Sequence, residues 1–328
     1  MDLNNKVILV TGGTGSFGNK FTEIVFKRYV PKKVIIFSRD EFKQHEMAKV
    51  FPVDKYPIRY FLGDVRDKNR LYRAFEGVDY IVHAAALKQV PALEYNPLEA
   101  VKTNVLGADN IVDAALDCGV KKVVALSTDK AVNPTNLYGA TKLVAEKIFI
   151  DANAYGGKRV IFSVVRYGNV MASRGSVIEL FLNLKERGIN EFPITDESMT
   201  RFWMTLEQSV NLVLTALKES EGGEVFIPKI PSMKITDLAR AIAPKCKFRK
   251  IDIRPGEKIH ELLVSSDEAR HTRVFKDLYV VMPQFFREIK AHKKYEKCPI
   301  VPDGFSYTSS TNKQWLTVAG LRKALGAI

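Results

Sequence analysis

The stretch "KVILVTGGTGSFGNK", residues 6–20, decides the fold. An apolar, β-branched run ends at Thr11, glycines stand at Gly12, Gly15 and Gly18, and helical apolar spacing follows. A strand that turns through glycines into a helix aims backbone N–H groups and a helix N-terminus at one point, where a pyrophosphate can bind. Gly12, Thr14, Gly15, Ser16, Phe17 and Gly18 are the candidate contacts. A P-loop nearly fits from Gly13 to Gly18, but Asn19 stands where the lysine is needed and no Ser or Thr follows it.

Working outward, short apolar runs recur at 6–12, 33–38, 58–64, 79–85, 121–127 and 159–165. Near-continuous apolarity is expected of parallel strands covered on both faces. The segments between them carry helical spacing, as in "NVLGADNIVDAALDCGV" (104–120), which points to one helix ending at a glycine. The fold class is therefore α/β, a Rossmann-like doubly wound parallel sheet with a smaller C-terminal substrate-binding domain. The expected division is 1–170 for the dinucleotide-binding domain and 171–328 for the mainly substrate-binding part. A strand and helix near 205–230 are expected to return to the first.

Composition narrows the class. The 328 residues are 46% hydrophobic and 27% charged, with a formal net charge of +13. The basic residues are dispersed, as in "RVFKDLYVVMPQFFREIKAHKKYEK", so phosphorylated ligands are favoured over nucleic acid. Cys118, Cys246 and Cys298 form no metal-binding spacing, and free thiols in a reducing compartment are expected, with no metal. The N-terminus has no signal-peptide pattern and no run long enough to span a bilayer, so a cytoplasmic protein with no membrane span is expected.

The tips of the strands suggest the cofactor. The second ends in Ser38 and Arg39, with Asp40 and Lys43 close behind. An acid at this tip would bind a ribose 2′-hydroxyl; arginine and serine suit a 2′-phosphate, and NADP is favoured over NAD. Asp64 and Val65 close the third strand and are expected at the adenine. Ala84, Ala85 and Ala86 close the fourth, small enough for a dinucleotide to lie on the backbone. His83 reads as a packed strand residue.

"ALSTDKAVNPTNLYGATK" (125–142) leaves the fifth strand through Thr128, Asp129 and Lys130. Tyr138 and Lys142 then follow one helical turn apart, on a common face. Such a lysine can hold a ribose and, with an oxidised nicotinamide, lower the tyrosine from about 10 toward neutrality. The tyrosinate can take a hydroxyl proton while hydride leaves for the cofactor.

Several stretches together carry a resemblance: "TGGTGSFG", "SRDEFKQ", "GDVRD", "HAAALKQVPALEYNPLEAVKTN", "LSTDKAVNPTNLYGATK", "VVRYGNVMASRGSV", "PITDESMTRFW", "IPKIPSMKITDLA" and "IRPGEK". Over nearly its full length the chain resembles the extended short-chain dehydrogenases/reductases, and among them the inverting UDP-N-acetylglucosamine 4,6-dehydratases that begin pseudaminic acid synthesis and so serve flagellin glycosylation. Dehydratases of the dTDP-glucose type carry Thr-Asp-Glu where this chain has Thr128-Asp129-Lys130. The resemblance implies NADP as cofactor and UDP-N-acetylglucosamine as substrate. It implies Lys130 as the C5 base and Asp129 as the proton donor at C6. It implies a homo-oligomer, dimer or hexamer. Lys130 must be neutral to act, which from about 10.4 requires lowering by roughly 3 units, an effect expected of burial beside the nicotinamide.

The same resemblance implies the substrate contacts. Lys88 and Thr103 would meet the sugar nucleotide, with Lys88 also at the cofactor. Asn169, Val170 and Arg174 would lie along the diphosphate, and Thr195, Met199, Arg254 and Glu257 about the uridine and its ribose. Arg174 and Arg254 have a physical case as well, because guanidinium groups bind diphosphate bidentately. The alternatives are a UDP-sugar 4-epimerase, a C5-retaining dehydratase, and a non-catalytic NADP-binding regulator.

Overall fold

The computed structural model describes residues 2–157, 159–171, 173, 175–284 and 292–326. The chain begins β1 (Val7–Thr11), α1 (Ser16–Arg28), β2 (Lys33–Ser38), α2 (Glu41–Val50), β3 (Ile58–Leu62), α3 (Lys68–Phe75) and β4 (Tyr80–His83). Two short helices, α4 (Val90–Tyr95) and α5 (Pro97–Ala100), run into a π-helical turn over Val101–Leu106. Then come α6 (Gly107–Asp117), β5 (Lys122–Leu126), a 3₁₀ turn at Asp129–Ala131, α7 (Leu137–Tyr155) and β6 (Ile161–Val165). The single helix expected over 104–120 is thus a π-turn followed by α6. Asn104 explains the break: its amide accepts from Leu87 N at 2.9 Å and donates to Leu87 O at 2.9 Å and Thr141 Oγ1 at 3.1 Å. A π-turn re-aims one side chain without ending the helix.

The second half holds β7 (Asn169–Val170), α8 (Val177–Glu186), β8 (Glu191–Ile194), β9 (Thr200–Met204), α9 (Leu206–Glu219) and β10 (Val225–Pro228). It continues with β11 (Ser232–Lys234), α10 (Ile235–Ile242), β12 (Lys247–Lys250), β13 (Leu262–Val264), β14 (Thr272–Phe275) and β15 (Leu278–Val281). Last come α11 (Lys293–Glu296), β16 (Tyr307–Thr308) and α12 (Val318–Gly326). Among the described residues the main sheet has nine strands, ordered β14-β15-β10-β6-β5-β4-β1-β2-β3. The strands from β10 through β3 run parallel, and β15 and β14 add an antiparallel edge.

Order reverses at β1, flanked by β4 on one side and β2 on the other. Crevices of open α/β sheets lie at such a switch point, off the carboxyl ends of the strands. The inner parallel strands bury both faces, as their apolarity requires; β3, at the sheet edge, does not, and Arg59 and Leu62 are exposed there, against the expectation for 58–64. Ile8 and Val10 pack with Phe21, Ile24 and Val25 on one face, and Leu9 with Ile35 and Ile81 on the other. A third core, around Trp203, Phe181, Phe192 and Leu238, belongs to the second half.

A buried ion triad ties the layers. Arg166, just past β6, is 2% exposed and forks onto Glu146 of α7 at 3.1 and 2.6 Å. Its other edge meets Glu268 at 3.1 and 3.0 Å. Removing one member of such a network leaves charge buried and unpaired. Arg166→Leu is therefore expected to lower unfolding free energy by about 3–5 kcal/mol, measured by urea denaturation. A loss within about 0.5 kcal/mol, as at an ordinary surface position, would refute a structural role for the triad.

Candidate active site

A single cleft of ≈ 1290 Å³ runs over the carboxyl ends of the central strands and under the second half of the chain. The glycine turn forms one arm. Gly12 has φ +64, and a Cβ there would meet Ala85 Cα at 2.8 Å and Ala85 N at 2.9 Å, so only glycine lets this turn seat on the end of β4. Thr14, Gly15, Ser16 and Phe17 line the cleft with it. Gly18 does not; a Cβ there would stand 2.1 Å from Gly13 O, and its glycine serves the packing of α1 on the turn. His83 is buried and bonded through Nδ1 to Thr11 Oγ1 at 2.8 Å. Burial first, and Lys142 second, push its imidazole down to about 3, so it stays neutral and packed.

The far end of this arm is lined by Ser38, Arg39, Asp40, Lys43, Asp64 and Val65. Its carboxylates are already engaged. Asp40 accepts from Lys43 N at 2.9 Å and pairs with Lys43 Nζ at 2.8 Å, which holds its carboxyl below the usual range. Asp64 meets Arg66 at 2.8 Å and Arg39 at 3.7 Å. Thr14 and Ser38 hydroxyls touch at 2.9 Å. The donor set fits a dinucleotide: backbone N–H groups at the head of α1 for a pyrophosphate, and hydroxyl and cationic groups beyond the tip of β2. Ala84, Ala85 and Ala86 line the same arm without bulk.

The other end is built where β5 runs out. Thr128 Oγ1 donates to Asp129 Oδ1 at 3.0 Å and accepts from Lys130 N at 3.4 Å, which starts the 3₁₀ turn. Asn136 caps α7 by accepting from Gly139 N at 2.8 Å. Gly139 then sits on the Lys130 backbone, for a Cβ would lie 2.1 Å from Lys130 O. This contact brings Tyr138 and Lys142 into the cleft with Thr128 and Lys130.

Asp129 has no exposed surface and lies behind Lys130 rather than on the cleft wall. Lys130 Nζ stands 3.0 Å from Asp129 Oδ1 and 3.3 Å from Glu261 Oε1. Glu261 is 2% exposed, and its Oε1 is 3.6 Å from Arg201 Nε. Asp129 Oδ2 and Glu261 Oε2 are buried without a hydrogen-bond partner among the described residues. Burial pushes the Asp129 carboxyl up, against the pull of Lys130.

Two expectations about proton affinity need correction. Burial alone would push the Lys130 ammonium down, but Asp129 and Glu261 outweigh it and push it up. Burial likewise pushes the Tyr138 phenol up, only partly offset by Lys130, so the protein's own charges do not supply the lowering expected from Lys142. Lys142 itself is pushed down to about 8 by burial, against Glu146.

Lys88, Thr103, Asn169, Val170, Thr195, Met199, Arg254 and Glu257 all line this cleft. Arg174 lies outside the described residues. Thr103 Oγ1 is buried without a partner among the described residues. Thr195 donates to Glu257 at 3.3 Å, and Met199 Sδ lies 3.0 Å from the Arg201 guanidinium. Sequence reasoning passed over Glu261, Arg201, Lys258 and Ser127, which also line the cleft. Nothing marks the first three as buried partners in "TRFW" and "GEKIHE"; Ser127, adjacent to Thr128 at a strand end, carried a usable signal.

Comparison with known proteins agrees with this architecture. The polysaccharide biosynthesis protein family matches residues 8–283. The chain is 52% identical over 318 residues, 95% of each chain, to a UDP-N-acetylglucosamine 4,6-dehydratase (inverting) from Campylobacter jejuni. It is 43% identical over 326 residues, 94% of this chain and 92% of the other, to a UDP-glucose 4-epimerase from Rickettsia canadensis. The crystal structure of Pen from Bacillus thuringiensis superposes with a TM-score of 0.90 at 37% identity, covering 100% of this chain and 99% of that one. With its fold, glycine turn and Tyr138–Lys142 helix, the chain belongs to the polysaccharide biosynthesis protein family, within the extended short-chain dehydrogenases/reductases.

Proposed function

We propose that the chain is an NADP-dependent UDP-N-acetylglucosamine 4,6-dehydratase that inverts C5, giving UDP-2-acetamido-2,6-dideoxy-beta-L-arabino-hex-4-ulose. One observation carries the reading: Lys130, which lines the same cleft end as Tyr138 and Lys142, pairs at 3.0 Å with the buried Asp129. The Campylobacter jejuni relative supports the substrate and the dehydration.

The glycine turn and the head of α1 would hold the pyrophosphate, Lys142 the nicotinamide ribose, and Ser38, Arg39 and Lys43 the 2′-phosphate. When bound, the dinucleotide would supply reversible hydride chemistry, taking hydride from C4 and giving it back at C6, so that it is unchanged after one turnover. Tyr138 removes the C4 hydroxyl proton as C4 becomes a ketone, and the ketone acidifies the C5 hydrogen. Lys130 takes that hydrogen as a proton, and Asp129, which must come forward from behind Lys130 to reach the cleft, gives its own proton to the C6 hydroxyl, which leaves as water. A proton returned to C5 on the opposite face inverts the centre, balancing the one lost from the C4 hydroxyl.

Lys130 and Asp129 do not need separately tuned affinities. They share one proton, and its passage from Nζ to Oδ1 along a 3.0 Å hydrogen bond makes the amine and the acid together. Burial works toward that neutral form, since it replaces two desolvated charges by none, and the attraction of Asp129 and Glu261 for the ammonium works against it. The pair titrates as a unit.

The Rickettsia canadensis relative favours a second reading, UDP-sugar 4-epimerisation. That reaction needs Tyr138 and Lys142 but neither an acid at C6 nor a base at C5, so the buried pair would have no chemical use. In the favoured reading the protein works as a cytoplasmic homo-oligomer, and its product enters pseudaminic acid synthesis for flagellin glycosylation. No helix among the described residues is long and apolar enough to cross a membrane.

Incubation with UDP-N-acetylglucosamine is expected to give a product lighter by one water; unchanged mass supports epimerisation instead. The same reaction in D₂O, solved by NMR, is expected to give the L-arabino ketone, and a D-xylo product excludes inversion. Lys130→Ala is expected to reduce bound cofactor in the presence of substrate while losing water release by at least about 100-fold. Normal dehydration by that variant refutes the base assignment. Arg39→Ala is expected to weaken NADP binding by about 10-fold, the worth of one charge-assisted hydrogen bond, and to leave NAD binding unchanged, as titration calorimetry would show.

A further inference from the structure

The second half of the chain sends two charged side chains onto the acid–base pair. Glu261, just ahead of β13, puts Oε1 3.3 Å from Lys130 Nζ, which also stands 3.0 Å from Asp129 Oδ1. Arg201, from β9, holds the same oxygen at 3.6 Å while its guanidinium donates to Thr200 O at 2.8 Å, Lys258 O at 2.9 Å and Ile259 O at 3.0 Å. The Glu261 backbone is held too: its N–H donates to Ser309 Oγ at 2.9 Å and its carbonyl accepts from Ser309 N at 2.9 Å. A carboxylate this buried, with one oxygen lacking a partner among the described residues, is costly to keep, and the cations it serves are Lys130 and Arg201.

We propose that Glu261 is a positioning residue of the acid–base pair: it holds Lys130 Nζ between two carboxylates and fixes whether the shared proton rests on Asp129 or Lys130. This rests on the dehydratase reading above. The electrostatics agree with the geometry. The negative charge of Glu261 adds to the burial that pushes Asp129 up and, with Asp129, pushes Lys130 up, so it favours a bound proton on either member. Opposing charges come from every side of the box: Arg201 from β9, Lys258 from the same loop as Glu261, and Lys88 from the loop after β4, with the Tyr138 phenol facing in from α7. The transfer itself is balanced, one proton leaving Nζ as Oδ1 gains it, and no other bond changes.

The sign of the effect is definite. A negative charge beside the pair raises the proton affinity of both members, so removing it lowers both. The bell-shaped pH profile of kcat, bounded by gain and loss of the pair's proton, then moves as a whole toward lower pH. Glu261→Gln is expected to move both limbs down by about one pH unit or more and to reduce kcat. Glu261→Asp keeps the charge and is expected to hold the limbs near their wild-type positions even where kcat falls. Should Glu261→Gln fail to fold, Glu261→Ser supplies the neutral side chain and must show the same shift. Product mass from the wild type is measured alongside. No water loss there refutes the dehydratase reading, whereas wild-type dehydration with unmoved limbs in the neutral variants overturns the role of Glu261.

Discussion

Asp129 is a carboxylate with no exposed surface, and the arrangement of the cleft follows from that constraint. An ion moved into the interior costs several kcal/mol, recovered only through well-placed partners. Thr128 and Lys130 are those partners, at 3.0 Å each, and both come from adjacent positions in the chain. A 3₁₀ turn is the local conformation that lets three consecutive residues converge this way. The turn in turn fixes α7, because Gly139 packs on the Lys130 carbonyl where no other residue fits. The Tyr138–Lys142 face is therefore registered to the acid–base pair by backbone contact rather than by a flexible loop.

What could be read from residues alone follows a physical line. Parallel strands covered on both faces are apolar throughout, so β1, β2, β4, β5 and β6 announced themselves, while β3 at the edge keeps Arg59 and Leu62 exposed; the glycine turn is legible because Gly12 must adopt φ +64. Tyr138 and Lys142 were visible by spacing, since helical periodicity is local. Glu261 and Arg201 were not, because their burial is decided by a strand pairing and a loop path remote in sequence from Lys130. The π-turn at Val101–Leu106 was hidden for the same reason: it answers Leu87 and Thr141, neither of them local to it. In the basic stretch beginning at Arg273, read as a diffuse charge tract, β14 and β15 form a hairpin on the sheet edge, turning at Lys276 with φ +54.

The protonation of Lys130 shows how burial alone misleads. Burial by itself lowers a lysine, and a sequence that ends a buried strand with one invites that inference. Burial here comes with two carboxylates, and their combined attraction reverses the direction. The proposed chemistry then uses not a lysine stripped of its proton to bulk solvent but a proton moved a short way to an adjacent acid. Desolvation, which opposes an isolated ammonium, favours this transfer because the product pair is uncharged.

The segment around residues 254–261 draws these threads together. Arg254 and Glu257 line the cleft, while Gly256 O accepts from Thr135 Oγ1 at 2.9 Å and Asn136 Nδ2 at 2.8 Å. Lys258 Nζ donates to Val132 O at 2.5 Å, and Glu261 ends the same run against Lys130. One short stretch thus touches the cleft wall, the cap of α7 and the acid–base pair. A ligand that moves Arg254 or Glu257 necessarily works against hydrogen bonds that also hold Asn136 and Lys130. The second half of the chain thereby reaches the Asp129–Lys130 pair as well as the cleft wall.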